Sequence, residues 1–140
     1  LPIFDDDGKL ELAGEARSVD LGDTPPWKWL KDARERSIDE AWSAVSCQGD
    51  VTSRFTMLGE PGTRVISCSF PAKDDFSGRP VPMLMVERKA KSTVFIAVIQ
   101  AERGDVPDTT VSLQDELHGF VRISVECGGR AREFSVKKLR

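Results

Sequence analysis

The chain has 140 residues, 39% hydrophobic and 31% charged, which suits one domain with a core that needs no disulfide or metal staples. Its 20 Lys and Arg against 23 Asp and Glu give a formal charge of −3, which argues against a general nucleic-acid binder. No apolar run reaches the roughly 18–20 residues of a membrane-spanning helix, and the hydrophobic share is too high for a disordered chain.

Phe4 to Leu12 reads as two short strands around an Asp-Gly turn, with Leu10 and Leu12 on one face and Lys9 and Glu11 on the other. Gly14, Gly22, Pro25 and Pro26 mark a connecting stretch. Trp27 to Arg34 follows Pro25-Pro26 without a sustained 3.6-residue period, so it is expected as a loop with a short turn. From Ala41 onward the pattern is strands. Trp42 to Cys47 alternates loosely, and Gln48-Gly49-Asp50 turns the chain. Val51 to Met57 alternates cleanly, placing Val51, Phe55 and Met57 opposite Thr52, Arg54 and Thr56. After a turn at Glu60-Pro61-Gly62, Arg64 to Phe70 puts Ile66, Cys68 and Phe70 on one face, and Pro71 closes the strand.

A polar loop spans Ala72 to Pro82. Met83 to Arg88 and Thr93 to Ile99, joined by Lys89 to Ser92, read as a hairpin. Its second strand is apolar on both faces and is expected to be central, covered on both sides. Glu102 to Asp108 is expected as loop and Thr110 to Leu113 as a short strand. The closing hairpin aligns Val121, Ile123, Val125 and Cys127 with Phe134 and Val136 across Gly128-Gly129. About nine or ten short strands with little helix predict an all-β, antiparallel two-sheet sandwich forming one domain over 1–140.

The cysteines, Cys47, Cys68 and Cys127, are widely spaced and odd in number. They read as small apolar residues on strands, with a Cys47–Cys68 bridge between neighbouring strands as the alternative. Three scattered thiols and one His are a poor source of zinc ligands. Asp5-Asp6-Asp7-Gly8 resembles part of a calcium loop. In an EF-type frame, however, the first and closing ligand positions fall on Ile3 and Gly14, which supply no carboxylate. No metal or other cofactor is expected.

The segments Trp27 to Trp42, Arg54 to Leu58, Pro61 to Val65, Pro82 to Arg88 and Ser92 to Ala101 together resemble the C-terminal β-sandwich of heparinase II/III-like polysaccharide lyases. The sharpest likeness is Ser92 to Ala101, which resembles the family's hairpin of an arginine, a short turn and a Phe-led strand. The resemblance implies a secreted or periplasmic parent polypeptide. In it an α/α-toroid domain would precede this one, and acidic polysaccharides such as heparan sulfate or alginate would be cleaved by β-elimination. The chain would then be one piece of a longer polypeptide, with the toroid as its partner.

β-Elimination needs a base, an acid and a group that stabilises the uronate carboxylate, roles that Tyr and His usually share in such lyases. This chain has no Tyr, and its single His118 precedes a strand, where a turn residue is expected. The chain alone is therefore expected to be inactive. Ser67-Cys68-Ser69 lacks a neighbouring His that would activate the thiol, and reads as strand. Trp27, Trp29 and Trp42 have three roles open to them: a platform for pyranose rings, a contact with the toroid, or core. Lys28, Lys31, Arg34 and Arg36 form a basic cluster suited to carboxylate or sulfate, partly offset by Asp32 and Glu35. Arg130, Arg132, Lys137, Lys138 and Arg140 read as a solubilising edge. Three functions follow from these features: an accessory domain of a lyase, an independent carbohydrate-binding module, or a structural or adhesion module. None of them involves nucleic acid or membrane.

Overall fold

A computed structural model describes residues 11–12, 14–70 and 81–137. The described strands are β1 (Glu11–Leu12), β2 (Arg17–Ser18), β3 (Lys31–Ser37), β4 (Trp42–Gln48), β5 (Val51–Met57), β6 (Thr63–Phe70), β7 (Val81–Arg88), β8 (Ala97–Arg103), β9 (Thr109–Leu117), β10 (Phe120–Cys127) and β11 (Arg130–Lys137). The expected all-β antiparallel architecture is the one the chain adopts. The strands divide among three sheets, with orders β1-β4-β5-β8, β2-β3-β6-β7 and β11-β10-β9, where two had been expected. The acidic turn at residues 5–8 and most of the polar loop over 72–82 lie outside the described residues.

The first and second sheets face each other through one core. Trp42, Ala44 and Met57 from the first meet Val65 from the second, with Phe55, Leu84 and Val86 packed around them. The Trp42 and Phe55 rings sit 5.6 Å apart in a tilted contact. The alternation read in β5 explains what happens on the opposite face. Arg54 and Thr56 point away from that core; Thr56 bonds Ser43 at 2.9 Å, and Arg54 meets the segment that leads into the third sheet. Arg54 pairs with Asp108 at 3.0 Å and donates to the Val106 carbonyl. From β8, Gln100 accepts from the Thr109 hydroxyl at 2.7 Å and donates to Cys127 Sγ. A second apolar cluster, Val111, Val121 and Ile123 with Leu58, Ile96 and Val98, completes the contact. The first sheet thus has a neighbour on each side.

Two expectations about pairing fail here. The hairpin over Met83 to Ile99 does not form. β7 pairs with β6 (Val65 opposite Val86) and β8 pairs with β5 (Phe55 opposite Ile99), so residues 89–96 carry the chain from one sheet to another. Alternating apolar residues specify a face but not a partner strand. The strand expected to be central is instead an edge, with Ile99 56% exposed. β4 and β5, each paired on both sides, are the interior strands of this sheet.

The loop expected over 27–34 holds only one 3-10 turn, Trp27–Trp29, and then β3 begins. The residues of β3 are poor strand formers, and what holds them extended is tertiary pairing. Glu35 accepts from Arg64 at 2.6 Å, and Arg36 donates to the Ser67 hydroxyl at 3.1 Å. Thr93 to Ile96, expected as strand, belong to the crossing, and β8 starts only at Ala97 and runs on through Arg103; β9 likewise extends through Leu117, because ladder bonds continue where side chains are polar.

The three cysteines are free thiols. Cys47 on β4 and Cys68 on β6 belong to different sheets, so the bridge between neighbouring strands that spacing allowed has no geometric basis. Burial pushes the Cys68 thiol above its ordinary range. A thiol-reactive disulfide should therefore modify exposed Cys47 in the folded chain and Cys68 only in denaturant, as peptide mass spectrometry would report. The raised value also sets a sign for stability. Above the ordinary thiol range the unfolded chain releases a proton that the folded one keeps, so Cys68 makes stability fall as pH rises.

Candidate functional site

Among the six residues singled out for binding, β3 supplies three. Strand alternation alone would put Lys31 and Arg34 on opposite faces. A β-bulge between them changes this: Lys31 lies opposite Ser69 and Arg34 opposite Ser67, while Asp32 takes a positive φ of 53°. Since Ser67 and Ser69 share a face, Lys31, Arg34 and Arg36 form one row of cations. Successive cations in such a row stand about 7 Å apart.

The members of the row differ in their commitments. Arg36 is half-buried and holds the Gly14 carbonyl and the Ser67 hydroxyl, so it acts as a strut. Burial and the neighbouring Arg34 charge lower its pKa. Lys31 and Arg34 are exposed.

The Trp27–Trp29 turn leads directly into this row. The Leu30 amide closes it by donating to the Trp27 carbonyl at 3.0 Å, and the Pro25–Pro26 peptide before it is cis. Trp27 and Trp29 are 40% and 46% exposed, whereas Trp42 is 6% exposed in the core. The three tryptophans therefore separate into one structural residue and two surface ones. The Lys28 ammonium sits 5.5 Å from the Trp29 ring centre. Two part-exposed indole rings followed by the exposed cations Lys31 and Arg34 offer contacts for an apolar sugar face and for the carboxylate or sulfate groups beside it.

His118 occupies the two-residue turn between β9 and β10, exposed and with a φ of 51°. Among the described residues no group of three His, Cys, Asp or Glu is placed to hold a metal ion. No helix of the described residues is long and apolar enough to cross a membrane.

One residue of consequence escaped sequence reading as a centre of contacts. Arg88, at the end of β7, is only 3% exposed. It donates to Glu60 Oε2 at 2.7 Å, to the Thr63 and Thr93 hydroxyls, and to the Val94 and Leu58 carbonyls. Its guanidinium lies 4.6 Å from the Phe95 ring centre. The sequence reading placed Arg88 only at the end of the Met83 to Arg88 strand. An open groove of about 770 Å³ runs beside it, lined in part by Phe95, Lys89 and Arg64. Arg64 there is engaged by Glu35 and Glu87, whose hydrogen bonds raise its pKa against the opposing effect of burial.

No protein-family model, curated protein or solved structure matches this chain. Its function therefore has to be argued from the residues and their arrangement.

Proposed function

We propose that this chain is a non-catalytic β-sandwich module of a heparinase II/III-like polysaccharide lyase, and that its β3 face contacts the acidic polysaccharide. The observation that carries the reading is the bulge that brings Lys31, Arg34 and Arg36 onto one face directly after the exposed Trp27–Trp29 turn. Two further features support it: the antiparallel all-β fold, and the exposed side chains Phe95 and Ile99, which lie in the Ser92 to Ala101 segment of the likeness. Exposed apolar side chains of this kind suit docking of the catalytic toroid of the same polypeptide. A secreted or periplasmic location goes with this reading.

The test is a titration with heparan sulfate and alginate oligosaccharides, followed by tryptophan fluorescence. The surface tryptophans should respond, and Lys31→Glu and Arg34→Glu should each weaken binding about tenfold at low salt, with the affinity of the natural chain falling as salt is added. No response at millimolar sugar would overturn the contact. Unsaturated uronate formed by the chain alone would overturn the non-catalytic assignment.

A further inference from the structure

We infer that β11 is a self-recognition edge, through which two copies of this chain join their third sheets into one six-stranded sheet. β11 is the outermost strand of its sheet, and all eight of its residues are exposed. The hairpin before it fixes which backbone groups face outward. Cys127 and Arg130 flank the two-residue Gly128-Gly129 turn, whose φ values of 54° and 74° are those of a tight primed turn. In such a hairpin the flanking residues exchange both hydrogen bonds, and the exchange recurs at every second pair. Arg130, Arg132, Phe134 and Val136 therefore bond inward to β10. Ala131, Glu133, Ser135 and Lys137 direct their N–H and C=O groups outward, and among the described residues no strand pairs with them.

The sequence along this edge is complementary to itself. A two-fold axis perpendicular to the sheet preserves its faces, so an antiparallel pair of β11 strands can be centred on a residue. Centred on Ser135, the pairing sets Glu133 opposite Lys137 of the second copy, and the symmetry makes this ion pair twice. On the other face the same register sets Phe134 opposite Val136, again twice. Phe134 and Val136 are large apolar residues 48% and 38% exposed. They lie on the face that carries buried Val121 and Ile123, directly across the ladder from them. The junction would thus continue an apolar layer already present.

Neighbouring registers do less well. Centring on Phe134 sets Glu133 against Ser135 and Arg132 against Val136, leaving both charges without a counterpart. Centring on Glu133 opposes two carboxylates. Opposite charges across a strand pair stabilise it and like charges oppose it, so of these three centres the Ser135 register is the one that sets Glu133 against a cation within β11. Long exposed edges with apolar residues are sites of strand addition unless something blocks them. Lys137, at this edge, is therefore half of a pairing code rather than only part of a solubilising fringe. The inference is independent of polysaccharide contact at β3, which lies in a different sheet.

Sedimentation velocity of the whole chain over a concentration series is the test. The natural chain should shift from monomer to dimer as concentration rises. Glu133→Lys and Lys137→Glu should each weaken the dimer about tenfold, and the double variant should restore it. Ser135→Pro removes one outward N–H and leaves the ladder to β10 intact, so it should remain monomeric with an unchanged circular dichroism spectrum. A natural chain that stays monomeric at all concentrations overturns the proposal, as does a charge-swapped double variant no better than either single one.

Discussion

Gly59→Ala should destabilise the chain by about 3 kcal/mol, in the range of a core overpacking that cannot relax. Gly59 follows β5, where Met57 has just paired with Trp42 at the start of β4. Beyond that pair the two backbones stay side by side. A Cβ built on Gly59 would press into the Glu40 carbonyl carbon, the Ala41 nitrogen and the Glu40 Cα. Each of these is backbone, so no side chain can swing aside. Relief would require prising β4 from β5 where Trp42 and Met57 enter the main core. Gly62→Ala is the control. Its added Cβ meets nothing, and the cost there comes only from a φ of 74°, about 1 kcal/mol. Urea denaturation followed by the fluorescence of buried Trp42 should separate the two variants clearly. Equal midpoints would show that the backbones do not approach as described.

Arg88→Met should cost about 3 kcal/mol, because it strips partners from several half-buried acceptors at once. The Leu58 and Val94 carbonyls and the Thr63 hydroxyl would lose their donor, and Phe95 would lose the cation beneath its ring. The carboxylate is a minor part of this. Glu60 is 44% exposed and can return to water, so Glu60→Gln should cost only about 1 kcal/mol. The double variant should then lie close to Arg88→Met alone, since the Glu60 substitution has little left to remove. Denaturant midpoints of the four chains close the cycle. A Glu60 effect as large as that of Arg88 would mean the ion pair, rather than the cluster of carbonyls and hydroxyls, holds the crossing.

Arg88 also shows why part of the fold was hidden. β7 was legible as a strand from its apolar residues, but of β8 only Ala97 to Ile99 fell within the strand read over Thr93 to Ile99, and a four-residue polar link between two strands is ordinarily a hairpin. What prevents it is a buried guanidinium that gathers groups from residues 58, 60, 63, 93 and 94. Those partners are distant in sequence, and no local pattern announces them. The candidate site was half legible in the same way. Exposed tryptophans and a basic cluster stand out in the residues 27–36, but their common face depends on a bulge. That bulge arises from pairing with Ser67 and Ser69, more than thirty residues away.

Period-two burial is a property of neighbouring residues, and so the sequence by itself determined that this chain is built of antiparallel strands and which side chains of each share a face. It also determined the closing Gly128-Gly129 hairpin, where turn chemistry and alternation agree. Only the tertiary structure decided which strands become neighbours, that they fall into three sheets, that β4 and β5 rather than β8 are interior, and that charged β3 is a strand at all. The reason is physical. A strand satisfies half of its backbone hydrogen bonds with each neighbour, and any extended segment offers the same groups. The choice of partner rests on a few long-range contacts, such as those of Arg88, Arg64 and Gln100, whose two ends lie far apart along the chain.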